Sequence, residues 1–255
     1  MESENKRIVK NTLMLYFRQI LILLTSLYTV RIVLQALGAE DYGIYNVVAG
    51  TVTMFGFLTN SLAGASQRFF RFELGQGNSE SLQKIFSLML AIYILLAITI
   101  LFFAETVGLW FVKNKLTIPA TRINAAVWVY QASIFSFIIS ILTTPYMAAI
   151  IARENMKIYA YASVIEAILK FLVALSLSFM PDKLIAYGFL LLIITFLNTA
   201  VYRIYCCKHY KECHFVFYWD KEKFKEIVSY SCWNLFGSSI SIIKNQIMNI
   251  LLNIF

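Results

Sequence analysis

Long apolar runs without a single charged residue recur along this chain. Five stretches contain no Asp, Glu, Lys or Arg: 42–67, 85–104, 123–152, 184–202 and 227–243. A helix needs about 20 residues to cross a hydrocarbon core of about 30 Å, so four of these runs are long enough by themselves. A membrane barrel would instead show alternating segments of about 10 residues. The pattern therefore predicts an all-α, polytopic membrane helix bundle.

We predict six complete spans and the beginning of a seventh. The loops between them are short, so none of them can house a catalytic domain. We expect residues 1–226 to form the six-span unit and residues 227–255 to begin a second one. Because the chain ends inside an apolar helix, we also expect it to be the N-terminal part of a longer protein. The predicted spans are 12–37, 42–66, 85–112, 123–151, 158–180, 184–202 and 227–255.

Composition and charge agree with a membrane protein. The chain is 60% hydrophobic and 14% charged, with a mean hydropathy of +0.70, whereas a soluble domain has about a quarter of its residues charged. With the N-terminus in the cytoplasm, the inside segments hold 14 Lys and Arg residues and the outside loops hold four. This bias predicts a cytoplasmic N-terminus. The net charge of +8 then reflects topology and contact with anionic membrane lipids, and it requires no nucleic acid.

The cysteines offer a superficial metal motif in the loop before the seventh span. Cys206, Cys207 and Cys213 lie close in sequence to His209 and His214. Their spacing matches no closed zinc pattern. We interpret them as reduced thiols on the cytosolic side, and we expect neither a metal site nor a cofactor.

The fifth predicted span carries a polar stripe on one helical face. Tyr159, Ser163, Glu166 and Lys170 follow one another at i, i+4, i+7 and i+11, which is helical spacing. Glu166 precedes Lys170 by four residues, the favourable order for an ion pair on a helix. A charge at the centre of a membrane helix costs about 3 kcal/mol unless it is paired or hydrated. The stripe therefore predicts a surface turned away from lipid.

Further polar residues mark the first, second and seventh spans as faces of the same hydrated interior. Small polar residues can also serve only to join helices, and that alternative stays open for the second span. It does not explain Arg18, which lies deep in the first span. Arg31 either faces this interior or extends to the outer surface. The candidate cavity residues are Arg18, Arg31, Asn46, Tyr159, Glu166, Lys170, Asn234, Asn245 and Asn249.

Aromatic and basic residues alternate just after the second span. Arg68 and Arg71 are interleaved with Phe69 and Phe72. This pattern is typical of a short interfacial helix with its aromatic rings among the lipid headgroups and its arginines near phosphate, here over residues 67–74. The alternative is a simple extension of the second span.

Three segments resemble a known family. They are NTLMLYFRQILILLTSLYTVRIVLQALGAEDYGIYNVVAG (11–50), SLAGASQRFFRFELGQGN (61–78) and SCWNLFGSSISIIKNQIMNILLNIF (231–255). They are similar to bacterial polysaccharide exporters, the Wzx-like flippases of lipid-linked oligosaccharides. These belong to the multidrug/oligosaccharidyl-lipid/polysaccharide (MOP) superfamily, together with the MATE-type exporters.

The resemblance implies both an architecture and a substrate. Family members have two six-helix lobes around a cavity that opens alternately to either side, and usually 12 to 14 spans, so this chain would hold one MATE-like lobe and the start of the next. The implied substrate is an oligosaccharide on undecaprenyl diphosphate, moved across the bacterial inner membrane. Arg18 and Lys170 suit its phosphate oxygens. Whether H⁺ or Na⁺ couples transport stays open.

Two other functions are weighed against the flippase. For a cation-coupled multidrug exporter, the resemblance implies an acidic residue within the first span, and here that span holds arginines while Glu40 and Asp41 follow it. A membrane enzyme would need clustered carboxylates or a metal site on a substantial loop. Glu105 is the single isolated candidate. We therefore expect a transporter and not an enzyme.

Overall fold

The computed structural model describes residues 2–116 and 118–254, and the side chains of Val9 and of residues 11–116 and 118–237. All regular structure in these residues is helical, as predicted. The helices are α1 (Glu2–Thr53), α2 (Gly56–Gln76), α3 (Ser79–Phe103), α4 (Leu109–Asn114), α5 (Ile123–Ala152), α6 (Met156–Ser176), α7 (Lys183–His209) and α8 (Lys221–Ile254). A π-helical turn, Ala104–Gly108, joins α3 to α4, and short 3-10 turns follow α6 and α7.

Five helical stretches in the described part of the chain are long and apolar enough to cross a membrane. They are Asn11–Thr53, Ser79–Asn114, Ile123–Ala152, Met156–Phe179 and Lys183–His209. The fourth, fifth and sixth predicted spans correspond closely to the last three of these stretches. The all-α membrane bundle expected from the hydrophobic pattern is therefore confirmed as a fold class.

The boundaries of the first two predicted spans differ from the structure. Within α1 the backbone leaves helical geometry at Gly38, with φ 80° and ψ 168°, where a loop over 38–41 was expected. A positive φ is strained for residues with a Cβ, which explains glycine here. The second predicted span, 42–66, is wrong as one continuous helix, because a turn at Met54 and Phe55 divides it. Gly50 and Gly56 flank that turn, and each weakens a helix by about 1 kcal/mol.

The segment 67–74 belongs to a longer helix. It lies inside α2, which continues to Gln76 and ends at Gly77 in the left-handed conformation. Phe69 is only 7% exposed and packs in the core, edge-on to Tyr230 of α8. Phe72, Arg68 and Arg71 are exposed. The alternative of a simple extension thus describes this segment, and Phe69 contacts protein because it lies on the face of α2 that meets α8.

Two pairs of helices run side by side in the same direction. The first segment of α1, which precedes Gly38, runs alongside α6, since Asn11 lies near Glu154 and Val33 packs against Ala174. Similarly α5 follows α7, with Trp128 against Phe189 and Thr143 against Thr199. In each pair, the chain between the two parallel helices must cross back to the starting face. This agrees with predicted loops that alternate between the inner and the outer face.

Candidate functional site

Two cavities adjoin α6. The first, of about 430 Å³, is bounded by α5, α6, α7 and the second segment of α1, and we call it the α5–α7 cavity. The second, of about 420 Å³, lies between α6 and the first segment of α1, and we call it the α1–α6 cavity. Both volumes fall in the range of small-molecule sites.

The polar stripe of α6 lines both cavities. Tyr159, Ser163, Glu166 and Lys170 contribute to the wall of each. Their helical spacing places them along one ridge, which both spaces share. The residues singled out from the sequence of the fifth span are thus at the centre of the candidate site.

Glu166 and Lys170 of this ridge form a triad with Asn198 of α7. The Lys170 ammonium lies 2.6 Å from Glu166 Oε1, and the Asn198 amide of α7 donates to Glu166 Oε2 at 2.8 Å. Both carboxylate oxygens therefore have a partner, which compensates the cost of removing the carboxylate from bulk water. The Lys170 side chain is 44% exposed and that of Glu166 is 28% exposed, so Lys170 keeps a free surface on which to meet a ligand.

Arg18 enters the α1–α6 cavity beside the ridge. Its guanidinium carbon lies 4.6 Å above the ring of Tyr159, within cation–π distance. One terminal nitrogen donates to Gln19 at 3.3 Å. The Nε atom is buried and has no hydrogen-bond partner among the described residues. Since a guanidinium only donates hydrogen bonds, Arg18 retains a donor that no described residue satisfies.

Hydroxyl groups dominate the wall that α5 and α7 supply to the α5–α7 cavity. Thr143 and Thr199 share a hydrogen bond of 2.6 Å across the two helices. Ser136 Oγ is buried and lacks a partner among the described residues. The polar residues that α5 and α7 contribute are Ser133, Ser136, Ser140, Thr143, Thr144, Thr195, Asn198, Thr199 and Tyr202.

Sequence reasoning missed these two helices. The cavity candidates predicted from the sequence include no residue of the sixth span, although Thr195, Asn198 and Tyr202 stand at i, i+3 and i+7. That spacing is a usable signal for one helical face. The fourth span shows the same signal in Ser133, Ser136 and Ser140, which one face of α5 carries.

The remaining candidates from the sequence lie elsewhere. Arg31 and Asn46 are exposed and line neither cavity, and the Asn46 amide donates to the Tyr42 carbonyl. The Asn234 amide donates to the Ser61 carbonyl at 3.3 Å, where α8 meets α2. A Cβ on Gly64 would come within 2.9 Å of that amide, so small residues here permit helix contact. The side chains of Asn245 and Asn249 lie outside the described residues.

Ion pairs join the helix ends at one face of the bundle. Arg122, just before α5, pairs with Asp41 of α1 and lies 3.4 Å from Asp182. Asp182 also caps α7 by accepting from the Leu184 and Ile185 amides. These three residues belong to the three connections predicted to share the outer face.

The opposite face is joined by a second network. Arg153 pairs with Glu212 and stacks 4.7 Å over the Tyr210 ring, while the Asn155 amide donates to the Tyr205 hydroxyl at 2.8 Å. Burial raises the pKa of the Tyr210 hydroxyl, so it stays protonated. These residues come from the segments predicted to share the inner face.

The cysteine loop lies beside this second network. A hydrogen bond with Cys206 and burial raise the pKa of the Cys213 thiol, which favours its protonated form. Among the described residues, no group of three or more His, Cys, Asp or Glu side chains is arranged to hold a metal ion.

Comparison with known proteins identifies the family of the chain. The family model described as "Polysaccharide biosynthesis protein" matches residues 8–255. No curated protein and no solved structure shows significant similarity to the chain. Members of this family are transporters rather than enzymes. The match spans nearly the whole sequence, so this chain belongs to the polysaccharide biosynthesis family, that of the Wzx-like flippases of the MOP superfamily.

Proposed function

We propose that this protein moves undecaprenyl-diphosphate-linked oligosaccharides from the cytoplasmic to the periplasmic leaflet of the bacterial inner membrane. The polar head crosses through a hydrated path that opens alternately to either side, and the lipid tail stays in the bilayer. No covalent chemistry is involved. The N-terminus lies in the cytoplasm, and residues 1–226 form one MATE-like lobe, with the second lobe beginning in residues 227–255.

The observation that carries this proposal is the placement of two basic groups beside a polar cavity. Arg18 and Lys170 line the α1–α6 cavity together with Glu166, so its charged lining is net positive. Guanidinium and ammonium groups bind phosphate oxygens. Hydroxyl and amide groups on the other side of the α6 ridge are suited to a saccharide. Together these features match an anionic, sugar-bearing substrate better than a hydrophobic cation.

The acidic residues argue against a cation-coupled multidrug exporter, the alternative within the superfamily. Glu166 has both carboxylate oxygens occupied by Lys170 and Asn198. Asp41 is 6% exposed and pairs with Arg122. Neither carboxylate is free to bind Na⁺, although Glu166 would gain that capacity if Lys170 moved to a substrate phosphate. Exchange of this kind would couple substrate release to a proton or cation.

Site-directed variants test the proposal in cells. Arg18→Ala and Lys170→Ala should each reduce surface polysaccharide about ten-fold or more at equal membrane levels, because a charge-assisted hydrogen bond contributes about 1.5–3 kcal/mol. The matched control is Lys157→Ala, which removes an exposed lysine from the first turn of the same helix as Lys170.

The outcome separates the two transporter classes. Unchanged export in both variants would remove the anion site from the mechanism. Unchanged export together with increased accumulation of a cationic dye such as ethidium would assign the chain to drug export. The control variant should match the wild-type protein in both measurements.

A further inference from the structure

The two cavities differ in the chemistry of the groups that they leave without a partner. In the α1–α6 cavity the free group is Arg18 Nε, a cationic donor. In the α5–α7 cavity it is Ser136 Oγ, a neutral hydroxyl that can donate or accept. A buried polar atom without a partner costs about 1–3 kcal/mol, so each cavity is arranged for a ligand that supplies the missing bond.

The hydroxyls of the α5–α7 cavity are set up chiefly as acceptors. The hydroxyl protons of Thr195 and Thr199 are directed to carbonyls one turn earlier, at 3.0 and 2.8 Å. Ser163 likewise donates to the Tyr159 carbonyl at 2.8 Å. A hydroxyl whose proton is used in this way still offers oxygen lone pairs, and on Thr199 one of them is taken by the bond with Thr143. A ligand rich in hydroxyl donors complements such a wall.

The charge of the α5–α7 cavity is already balanced. The two charged groups among its described lining residues are Lys170 and Glu166, and these pair with each other. An anionic ligand here would meet only this balanced pair, without the additional positive charge that Arg18 gives the lining of the α1–α6 cavity. An uncharged polar ligand needs no such charge.

From these observations we propose that the α5–α7 cavity is a subsite for an uncharged saccharide unit, adjoining at the α6 ridge an anion subsite in the α1–α6 cavity. This inference rests on the proposed function for the identity of the anion, but the sugar subsite has its own residues. Tyr159 and the Glu166–Lys170 pair stand between the two subsites and set the distance between phosphate and sugar.

Binding of separate fragments to the full chain in lipid nanodiscs tests the division. The neutral probe is cellobiose, and its matched acidic probe is cellobiouronic acid, which differs by one carboxylate in place of a hydroxymethyl group. Saturation-transfer NMR gives the affinity for each disaccharide, and inorganic pyrophosphate binding is measured by calorimetry. Cellobiose should bind more tightly than cellobiouronic acid.

Variants on each side of the ridge should separate the two activities. Ser136→Leu fills the α5–α7 cavity and should weaken cellobiose binding about ten-fold or more while pyrophosphate affinity stays within two-fold. Thr199→Val removes one hydroxyl with little change of shape and should weaken cellobiose binding about three-fold or more. Arg18→Ala should weaken pyrophosphate binding and leave cellobiose binding unchanged.

Each contrary result has a defined meaning. Tighter binding of the acidic disaccharide, no cellobiose binding by the wild-type protein, or loss of both probes in the same variants would overturn the neutral sugar subsite. If Arg18→Ala leaves pyrophosphate affinity unchanged while Ser136→Leu weakens cellobiose binding, the anion site of the proposed function is overturned and the sugar subsite is supported.

Discussion

Gly108 and Tyr130 meet where the third predicted span leaves regular α-helical geometry. In the π-turn the Ala104 carbonyl accepts from the Leu109 amide, five residues on, and also from the Tyr130 hydroxyl at 2.8 Å. A Cβ on Gly108 would overlap that hydroxyl. The turn therefore depends on a residue without a side chain facing a tyrosine from α5. This long-range dependence is invisible in the sequence, where 85–112 reads as one apolar helix.

The Gly108–Tyr130 contact predicts a non-additive pair of substitutions. Gly108→Ala should destabilise the protein by about 1–3 kcal/mol, because the added methyl displaces the hydroxyl in a packed interior. Tyr130→Phe should cost about 1–2 kcal/mol through the lost hydrogen bond. The double variant should lose less than the sum, since phenylalanine leaves room for the methyl. Thermal unfolding in detergent measures all three, and strict additivity would show that the two residues do not interact.

Single residues of the site also show what local pattern can predict. Glu166 and Lys170 were found because both their charge and their spacing are conspicuous within one apolar helix. Asn198 completes the same triad from α7, 32 positions away from Glu166. No local pattern connects these two helices, so the partner that holds the second carboxylate oxygen emerges only from their packing.

The helices are held to one another at their ends by a small number of charged and capping groups. Asp220 begins α8 by accepting from the Glu222 and Lys223 amides, at 2.9 and 3.1 Å. These bonds lower the pKa of the Asp220 carboxyl. At the other face Arg122 joins the beginnings of three helical segments through Asp41 and Asp182. Capping satisfies amides that a helix leaves unpaired at its N-terminus.

Breaking the Arg122 cluster should loosen α1 from α5. Arg122→Gln leaves the buried Asp41 carboxylate unpaired and should cost about 1–3 kcal/mol, since Arg122 itself is partly exposed. Adding Asp41→Asn should recover part of this loss by removing the charge. Asp182→Asn is the control, because it keeps the cap on α7 and loses only the longer contact. An Arg122→Gln protein as stable as the wild type would show that the cluster contributes nothing.

At the scale of the whole molecule, the connections sort into two faces. The residues of the predicted outer loops meet in the Arg122 cluster, and those of the predicted inner segments meet around Arg153 and Tyr210. Parallel pairing of α1 with α6 and of α5 with α7 requires the same sorting. The distribution of Lys and Arg predicts that the face with Arg153 and Tyr210 is cytoplasmic.

Reporter fusions test that orientation. A fluorescent protein fused within the loop 210–220 should fold and fluoresce, because this loop is predicted to be cytoplasmic. Alkaline phosphatase fused within residues 115–121 should be active, because that enzyme needs the oxidising periplasm. Exchanging the two reporters between the sites serves as the control. The opposite pattern would invert the proposed topology, so that the face predicted to be cytoplasmic would be periplasmic.

The sequence by itself determined the class of the protein and the direction in which one helix faces. Helices whose backbone bonds are internal are stable in lipid without partners, so the helical type and the approximate length of several spans follow from local composition. The stripe on α6 follows for the same reason, because charges in an apolar helix must turn away from lipid. Three of the predicted spans, 123–151, 158–180 and 184–202, agree with the helices to within a few residues at nearly every end.

Only the tertiary structure decided which faces meet. The burial of Phe69 and the two cavities beside α6 depend on neighbours remote in sequence. Lipid tails are as apolar as leucine side chains, so hydrophobicity alone cannot choose between a lipid contact and a helix contact. That choice rests on shape and on a few hydrogen bonds, such as those of Thr143 with Thr199 and of Glu166 with Asn198, which exist only once the helices have packed.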